Sequence, residues 1–326
     1  MNLNAIYTGD ALDVLRTLPD KSASCGVTSP PYYGLRDYGV AGQVGREDTP
    51  EAYIERLVAI FHEFKRVLAN DGTLWVNIGD SDWGKKGLSG ESSHAYQAAR
   101  YAAGVSYNRP CSSTGVAGVV GPRQGSHPVI KRKDLIGIPW MFAFAMRADG
   151  WYLRQEIIWN KPNPMPESVR DRCTKSHESL FLFSKKERYY FDSKAILEPY
   201  TQPLNRWSGN DLKANGHSKW AQATGQNAYR NRNMRPNPGG RNKRSVRNVQ
   251  LRSFRGAHFA TYPEALIVDC IKAGCPPGGV VLDPFMGAGT TPVVARKQGR
   301  QYVGIELNPD YVKLANERVE RAGKLF

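Results

Sequence analysis

Two short segments at opposite ends of the chain carry residues whose types and order suit chemistry on a planar amine. Near the start, the apolar run through Val27 leads into Ser29-Pro30-Pro31-Tyr32. Two prolines fix the backbone, so the Ser29 hydroxyl and the Pro30 carbonyl can converge on one donor. An exocyclic NH2 offers two hydrogens to such a pair, and Tyr32 can stack on the ring that bears it. Near the end, Val280-Val281-Leu282-Asp283 is an apolar strand closing on an acid, followed by Pro284-Phe285-Met286-Gly287-Ala288-Gly289-Thr290-Thr291. Gly287 and Gly289 let the backbone turn sharply and approach a ligand. The following strand ends in Glu306, seventeen residues after Gly289, where an acid commonly takes ribose hydroxyls. Pro292 stands where a dinucleotide fingerprint would have a third glycine, and no Gly-Lys-Ser/Thr follows. A nucleoside cofactor without phosphates therefore suits this turn better than a dinucleotide or a nucleoside triphosphate.

Those segments need a scaffold that brings residue 29 to residue 287. Strand-like runs at 4–7, 23–27, 73–78, 152–159, 179–184, 280–282 and 302–305 alternate with helical patterns at 11–18, 50–68, 134–146, 263–273, 291–297 and 309–322. The second helix is the clearest. Thr49 is its N-cap, Pro50 its first residue, and Tyr53, Ile54, Leu57, Val58, Phe61, Phe64, Val67 and Leu68 recur at helical spacing. Such alternation predicts an α/β fold, a mostly parallel twisted sheet with helices on both faces. Ligands then sit at the carboxyl ends of strands, where the direction of connection reverses. The two segments face each other only if the first and last thirds of the chain share one sheet.

Charge points to a polyanion. The 326 residues hold 45 Lys and Arg against 30 Asp and Glu, for a net +15. Residues 201–256 alone carry twelve Lys or Arg and a single acid, Asp211. A generally basic surface would spread that excess; its concentration suits phosphate contacts, with counterions released on binding. Arg230, Arg232, Arg235, Arg241, Lys243, Arg244 and Arg247 are the candidate nucleic-acid contacts, with Trp207, Trp220, Tyr229 and Phe254 interleaved. The five cysteines show neither CxxC nor His-rich spacing, so no metal site is expected, and their odd number suits a reducing cytoplasm. No apolar run reaches the ~20 residues that span a bilayer.

The order of the motifs resembles the β-class amino-methyltransferases of DNA, which methylate adenine N6 or cytosine N4. The likeness rests on Ser29 to Tyr32 and on Phe285, Gly287, Gly289 and Thr290. It covers about 1–80, 134–195 and 258–326 and thins over 84–128 and 200–256. It implies a Rossmann-like methyltransferase fold using S-adenosyl-L-methionine. It also implies a role for each matched residue. Ser29, Pro30, Pro31 and Tyr32 would be catalytic. Asp10, Tyr262, Asp283, Phe285, Gly287, Gly289, Thr290 and Glu306 would hold the cofactor, and Tyr33, Trp159, Lys161 and Pro162 would form the target-base pocket. The partner would be double-stranded DNA, with room for a homodimer and for a separate cognate restriction endonuclease.

The expected organisation is a catalytic half at 1–83, a loop insertion at 84–133, more of the catalytic domain at 134–199, a basic target-recognition region at 200–257, and a cofactor half at 258–326. In the resembled family serine at the first tetrapeptide position is commoner among cytosine-N4 enzymes and aspartate among adenine-N6 enzymes, so the resemblance tilts the target toward cytosine N4, with adenine N6 the alternative. RNA and protein-glutamine methyltransferases share a similar tetrapeptide but usually place the cofactor motif before it. A non-catalytic DNA-binding protein would have no use for intact Asp10, Ser29, Phe285 and Glu306.

Overall fold

The computed structural model describes residues 1–84, 126–200, 239–251 and 262–323. Its first compact unit comprises Met1–Phe191 and Ser245–Phe326, and its second Asp192–Arg244. In the first unit, eight strands form one sheet: β1 (Ala5–Thr8), β2 (Ala23–Thr28), β3 (Leu68–Ile78), β4 (Tyr152–Asn160), β5 (His177–Ser184), β6 (Val246–Asn248), β7 (Val280–Asp283) and β8 (Gln301–Glu306). Their spatial order is β1-β8-β7-β2-β3-β5-β4-β6. All neighbours run parallel except β5, which is antiparallel to both β3 and β4.

Alternation along β2 shows how the sheet is covered. A side chain at Gly26 would strike the Phe64 ring of helix α2 (Pro50–Val67), while Cys25 lies against Gly274 at the end of α4 (Glu264–Gly274). Successive strand residues point to opposite faces, so helices lie on both. On one face α2 packs with α1 (Ala11–Thr17) and α3 (Ile138–Ala148); on the other α4 packs with α5 (Thr290–Lys297), which also meets α6 (Pro309–Gly323). The first face holds the large aromatics Tyr53, Phe61, Phe64, Phe142 and Phe183, all fully buried. Each contributes on the order of 1.5–3 kcal/mol from burial.

The helix over 50–67 forms as its pattern predicts, with Thr49 Oγ1 accepting from Ala52 N at 3.2 Å. The helix predicted over 134–146 begins later, at Ile138. Residues 134–136 are held elsewhere: Ile136 N donates to Ser81 O, and Leu135 bridges Asp82. Gly137 then turns into the helix with φ +87°, a left-handed geometry natural to glycine. β6 is also unanticipated. It lies within the stretch read as irregular, yet pairs in register with β4, Val246 opposite Ile158.

The described part of the second unit is small. A 3-10 turn at Lys194–Ile196 is capped by Asp192, and Glu198 bridges Arg241 through paired backbone bonds. The loop expected over 84–128 and Arg230, Arg232, Arg235, Trp207, Trp220, Tyr229 and Phe254 fall almost wholly or wholly outside the described residues.

Candidate active site

The topology resolves the distance between the two motifs. β2 and β7 are adjacent and parallel, with Cys25 opposite Val281 and Gly26 opposite Leu282. From β2 the chain goes on to β3 on one side, and from β7 to β8 on the other. A crevice opens at such a divergence, outside the carboxyl ends of the strands. Ser29 leaves the end of β2 and Pro284 the end of β7, so both segments enter this crevice.

On one side lies a cleft of about 850 Å³, lined by Gly9, Asp10, Ser29, Pro31, Tyr262, Phe285, Gly287, Thr290 and Glu306 among others. Its floor is built from strand ends and helix starts. Asp10 caps α1, its Oδ1 accepting from Leu12 N at 2.8 Å. Glu306 ends β8, and its two oxygens accept from Gly287 N at 2.8 Å and Asn308 N at 2.9 Å. Each carboxylate oxygen keeps lone-pair capacity for a hydroxyl, and burial raises the Glu306 pKa. Gly289 has φ +80° at the start of α5, and a Cβ there would meet Ala315 at 2.9 Å. Phe285 packs edge-on against Phe61 of α2, with ring centroids 6.3 Å apart.

Asp283 sits beneath this cleft rather than in its wall. It is 1% exposed and accepts from Phe285 N at 3.1 Å, Thr291 Oγ1 at 2.5 Å and Tyr262 Oη at 3.3 Å. Burial pushes its pKa up to about 6 despite those hydrogen bonds. Its effect on a ligand passes through Tyr262, which does line the cleft. Gly289 likewise shapes the turn from outside the wall.

A second cleft of about 570 Å³ opens on the far side of Tyr32, lined also by Gly79, Asp80, Lys161, Pro164, Met165, Lys175, His177 and Glu178. Asp80 caps α3 through Gly137 N and Ile138 N, both at 3.1 Å. Tyr32 is clamped: a Cβ at Gly79 would fall 2.4 Å from its ring. Its hydroxyl donates to Glu178 Oε2 at 2.5 Å and accepts from Asn77 Nδ2 at 2.7 Å. Glu178 also pairs with Lys161, whose ammonium lies 4.5 Å from the centre of the Trp159 ring. Burial, then the Glu178 charge, holds the Tyr32 phenol well above its ordinary pKa. Glu178 is itself held below the usual carboxylate range: burial opposes ionisation, but Lys161 and hydrogen bonds from Tyr32 and Asn77 outweigh it.

Four residues expected in the target pocket or on DNA are placed differently. Tyr33 is 1% exposed, packs against the Tyr53 ring and donates to Asp48 O at 3.3 Å, so it belongs to the core. Trp159 is buried and donates to Val249 O at 2.8 Å, supporting Lys161 from below. Pro162 is exposed and the neighbouring Pro164 lines the cleft instead. Arg247, expected on DNA, is 7% exposed because β6 turns it inward, where it donates to Leu266 O and Cys270 Sγ of α4. In the second unit, Arg241 and Arg244 both pair with Glu198, at 2.9 Å and 2.6 Å, and Lys243 is half-buried.

The spacing of motifs gave no sign of Glu178, Asn77, Tyr38 or Tyr311. Tyr38 and Tyr311 line the first cleft and meet edge to face at 6.3 Å. Tyr38 comes from the loop after the tetrapeptide and Tyr311 from α6. A lone tyrosine in a loop or on a helix carries no signal of its own. Among the described residues no group of acids, histidines or cysteines could hold a metal ion, and no helix is long and apolar enough to cross a membrane.

Similarity agrees with this geometry. The Type II methyltransferase M.Cfr9I of Citrobacter freundii is 45% identical over 320 residues, 98% of this chain and 89% of that protein. Two solved structures share the fold. The PvuII DNA methyltransferase (cytosine-N4-specific) is 16% identical, with a TM-score of 0.60 over 100% of this chain and 92% of that one. A DNA modification methylase of Thermus thermophilus, solved with S-adenosyl-L-methionine, is 21% identical, with a TM-score of 0.56 over 99% and 96%. The family model for DNA methylase matches residues 23–317, which take in both motif segments. The chain therefore belongs to the DNA methylase family and is an S-adenosylmethionine-dependent DNA amino-methyltransferase.

Proposed function

We infer that the enzyme methylates N4 of a cytosine extruded from double-stranded DNA. One observation carries the reading of the site: the tetrapeptide stands between two clefts. Ser29 and Pro31 line the first and Tyr32 lines the second. A base held in the second would present its amine past Ser29 toward a ligand in the first.

The residues of the first cleft fit the cofactor. Glu306 offers acceptor capacity for a ribose, and Phe285, Tyr38 and Tyr311 offer apolar walls. When bound, S-adenosylmethionine supplies an electrophilic methyl group on a sulfonium. The chain's own task is to make the amine nucleophilic. An aromatic amine delocalises its lone pair into the ring. Hydrogen bonds from its NH2 to Ser29 and to the Pro30 carbonyl favour a tetrahedral nitrogen whose lone pair points at the first cleft. Clamping of Tyr32 against Gly79 fixes where that base can lie. Catalysis is then mainly positioning and electrostatics, and the extra proton leaves the nitrogen after transfer.

Ser29 supports cytosine over adenine, because serine at this position is commoner among the cytosine-N4 enzymes of the resembled class. Methylation of DNA with labelled cofactor, nuclease digestion and mass spectrometry of the nucleosides test this. N4-methylcytosine is the expected product; N6-methyladenine alone would overturn the base and leave the rest of the site reading intact. The basic stretch 200–257 serves as target-recognition region in this reading, and its deletion should abolish site selectivity. M.Cfr9I is named a Type II methyltransferase, which favours a separate cognate endonuclease here too. DNA from cells expressing the enzyme would then resist one such nuclease.

A further inference from the structure

The first cleft owes one of its walls to a segment that leaves the tetrapeptide and returns to it. Tyr38, Val40, Gly42, Gln43 and Val44 line the cleft. The segment closes on itself where Gly34 N donates to Gly45 O at 2.8 Å. Within it, the Gln43 side chain accepts from Tyr38 N at 2.7 Å and donates to Arg36 O at 3.0 Å. Behind this wall stands Arg56 of α2, which is not part of the cleft's lining. Its Nη1 donates to Gln43 O at 3.1 Å and to Glu47 Oε1 at 2.9 Å, and its Nη2 to Gly42 O at 2.5 Å. The same Nη2 lies 3.7 Å from Oδ2 of Asp10, the cap of α1. The other Glu47 oxygen accepts from Gly45 N at 2.8 Å. Two successive carbonyls facing one guanidinium need a sharp turn, and Gly42 supplies it with φ +78°. Carbonyls and carboxylates gathered in this way suit the planar fork of an arginine.

We propose that Arg56 is a positioning residue for the cofactor, holding residues 34–47 as a ready-made wall of the first cleft and tying that wall to Asp10. This rests on the cofactor occupying the first cleft. A segment that must order on binding subtracts its lost conformational entropy from the affinity. With Arg56 in place, that ordering is complete before the ligand arrives. The residues that the segment presents to the cleft carry no charge, so the wall acts by shape. The tetrapeptide has anchors of its own: Tyr53 Oη donates to Pro31 O at 2.8 Å, and Tyr32 to Glu178. Loosening the wall should therefore weaken binding and spare methyl transfer once the cleft is filled.

Calorimetry on the full-length enzyme without DNA tests this with Arg56→Gln. Affinity for S-adenosylmethionine should fall by about 10- to 100-fold. Affinity for S-adenosylhomocysteine, the neutral thioether left when the methyl group is gone, should fall by the same factor. An effect of charge would look different, because removing a cation beside the cleft favours the sulfonium over the thioether. In turnover, KM for the cofactor should rise while kcat at saturating cofactor stays within about threefold of wild type. Glu47→Gln is the second variant: its amide oxygen can keep Gly45 while the charge facing Arg56 is lost. It should weaken both ligands by about 3- to 10-fold, and the double variant should bind no worse than Arg56→Gln alone. Unchanged affinity in Arg56→Gln, a loss confined to one ligand, or kcat falling in step with the rise in KM would each overturn the role of Arg56. If Arg56→Gln does not fold, unchanged affinity in Glu47→Gln overturns it. Glu306→Ala, measured alongside, separates the two readings. Unchanged affinity there as well would move the cofactor out of the first cleft, whereas weakened binding there beside unchanged Arg56→Gln removes Arg56 alone.

Discussion

The two clefts flanking the tetrapeptide are built by different means. The first is held by short-range bonds to backbone donors: Asp10 to Leu12, Glu306 to Asn308 and Asp283 to Phe285, each two residues apart. The second is held by side chains that meet across the sheet, with Tyr32 and Asn77 lying 146 and 101 positions from Glu178. Backbone donors at strand ends and helix starts are placed by the secondary structure itself, so they pre-form a site for a constant ligand. Side chains brought together by tertiary contacts can be re-tuned singly, as suits a site that must choose a base. Damage to the first cleft should therefore appear as lost binding, and damage to the second as lost turnover.

Ser29 lines the first cleft but is assigned to the target amine, so Ser29→Ala tests where the boundary between the two lies. It should lower methyl transfer by about 10²–10³-fold, the scale of losing one group that acts on the reacting centre. Cofactor affinity should change little; an equal fall in a calorimetric titration would show that the clefts are not separate in function. Glu306→Ala tests the other side. Loss of a charged acceptor should weaken cofactor binding by about 10- to 100-fold, and unchanged affinity would remove Glu306 from the ribose.

Asp283 sharpens the comparison through pH. Its carboxyl titrates near 6 in the folded chain, above its ordinary value of 3.8, because it is buried. Between those values the folded state holds more protons than the unfolded one, so this group's contribution to stability falls as pH rises from about 4 to 6 and is flat beyond. Asp283→Asn should remove that slope, worth roughly 3 kcal/mol. Denaturant melts at several pH values read it, and an identical slope in the variant would refute the assignment.

The smallest effects concern the arginines. Arg247→Ala should lower Tm by about 2–4 °C and leave the salt dependence of DNA binding unchanged, since its guanidinium faces α4. Arg244→Ala should instead reduce the slope of log affinity against log salt, by no more than about 1. A reversed pattern would put Arg247 on DNA after all.

Much of the scaffold was legible because its signals are local. Thr49-Pro50 announces a helix start, and the apolar stripe beyond it announces which side is buried. Asp283 and Glu306 close apolar runs, and the glycines after Asp283 can only be a turn. Failures came where distant contacts override local preference. The 134–136 stretch looks helical, yet Ser81 and Asp82 capture its backbone. Arg247 looks like one more arginine in a basic run, until β4 pairs with its strand and turns it inward.

The sequence by itself determined the chemistry on offer: a rigid Ser-Pro-Pro-Tyr turn, an acid-tipped strand with a glycine turn, and a concentration of positive charge. These follow from residue type and near-neighbour spacing, which fix backbone geometry and hydrogen-bonding capacity before any packing occurs. Only the tertiary structure decided which residues serve that chemistry together. Parallel pairing of β2 with β7 sets Ser29 beside Phe285, and antiparallel insertion of β5 next to β3 delivers Glu178 to Tyr32. Strand order and register are set by the burial of both faces of the sheet at once. That is a property of the whole core, which no stretch of a few residues can report.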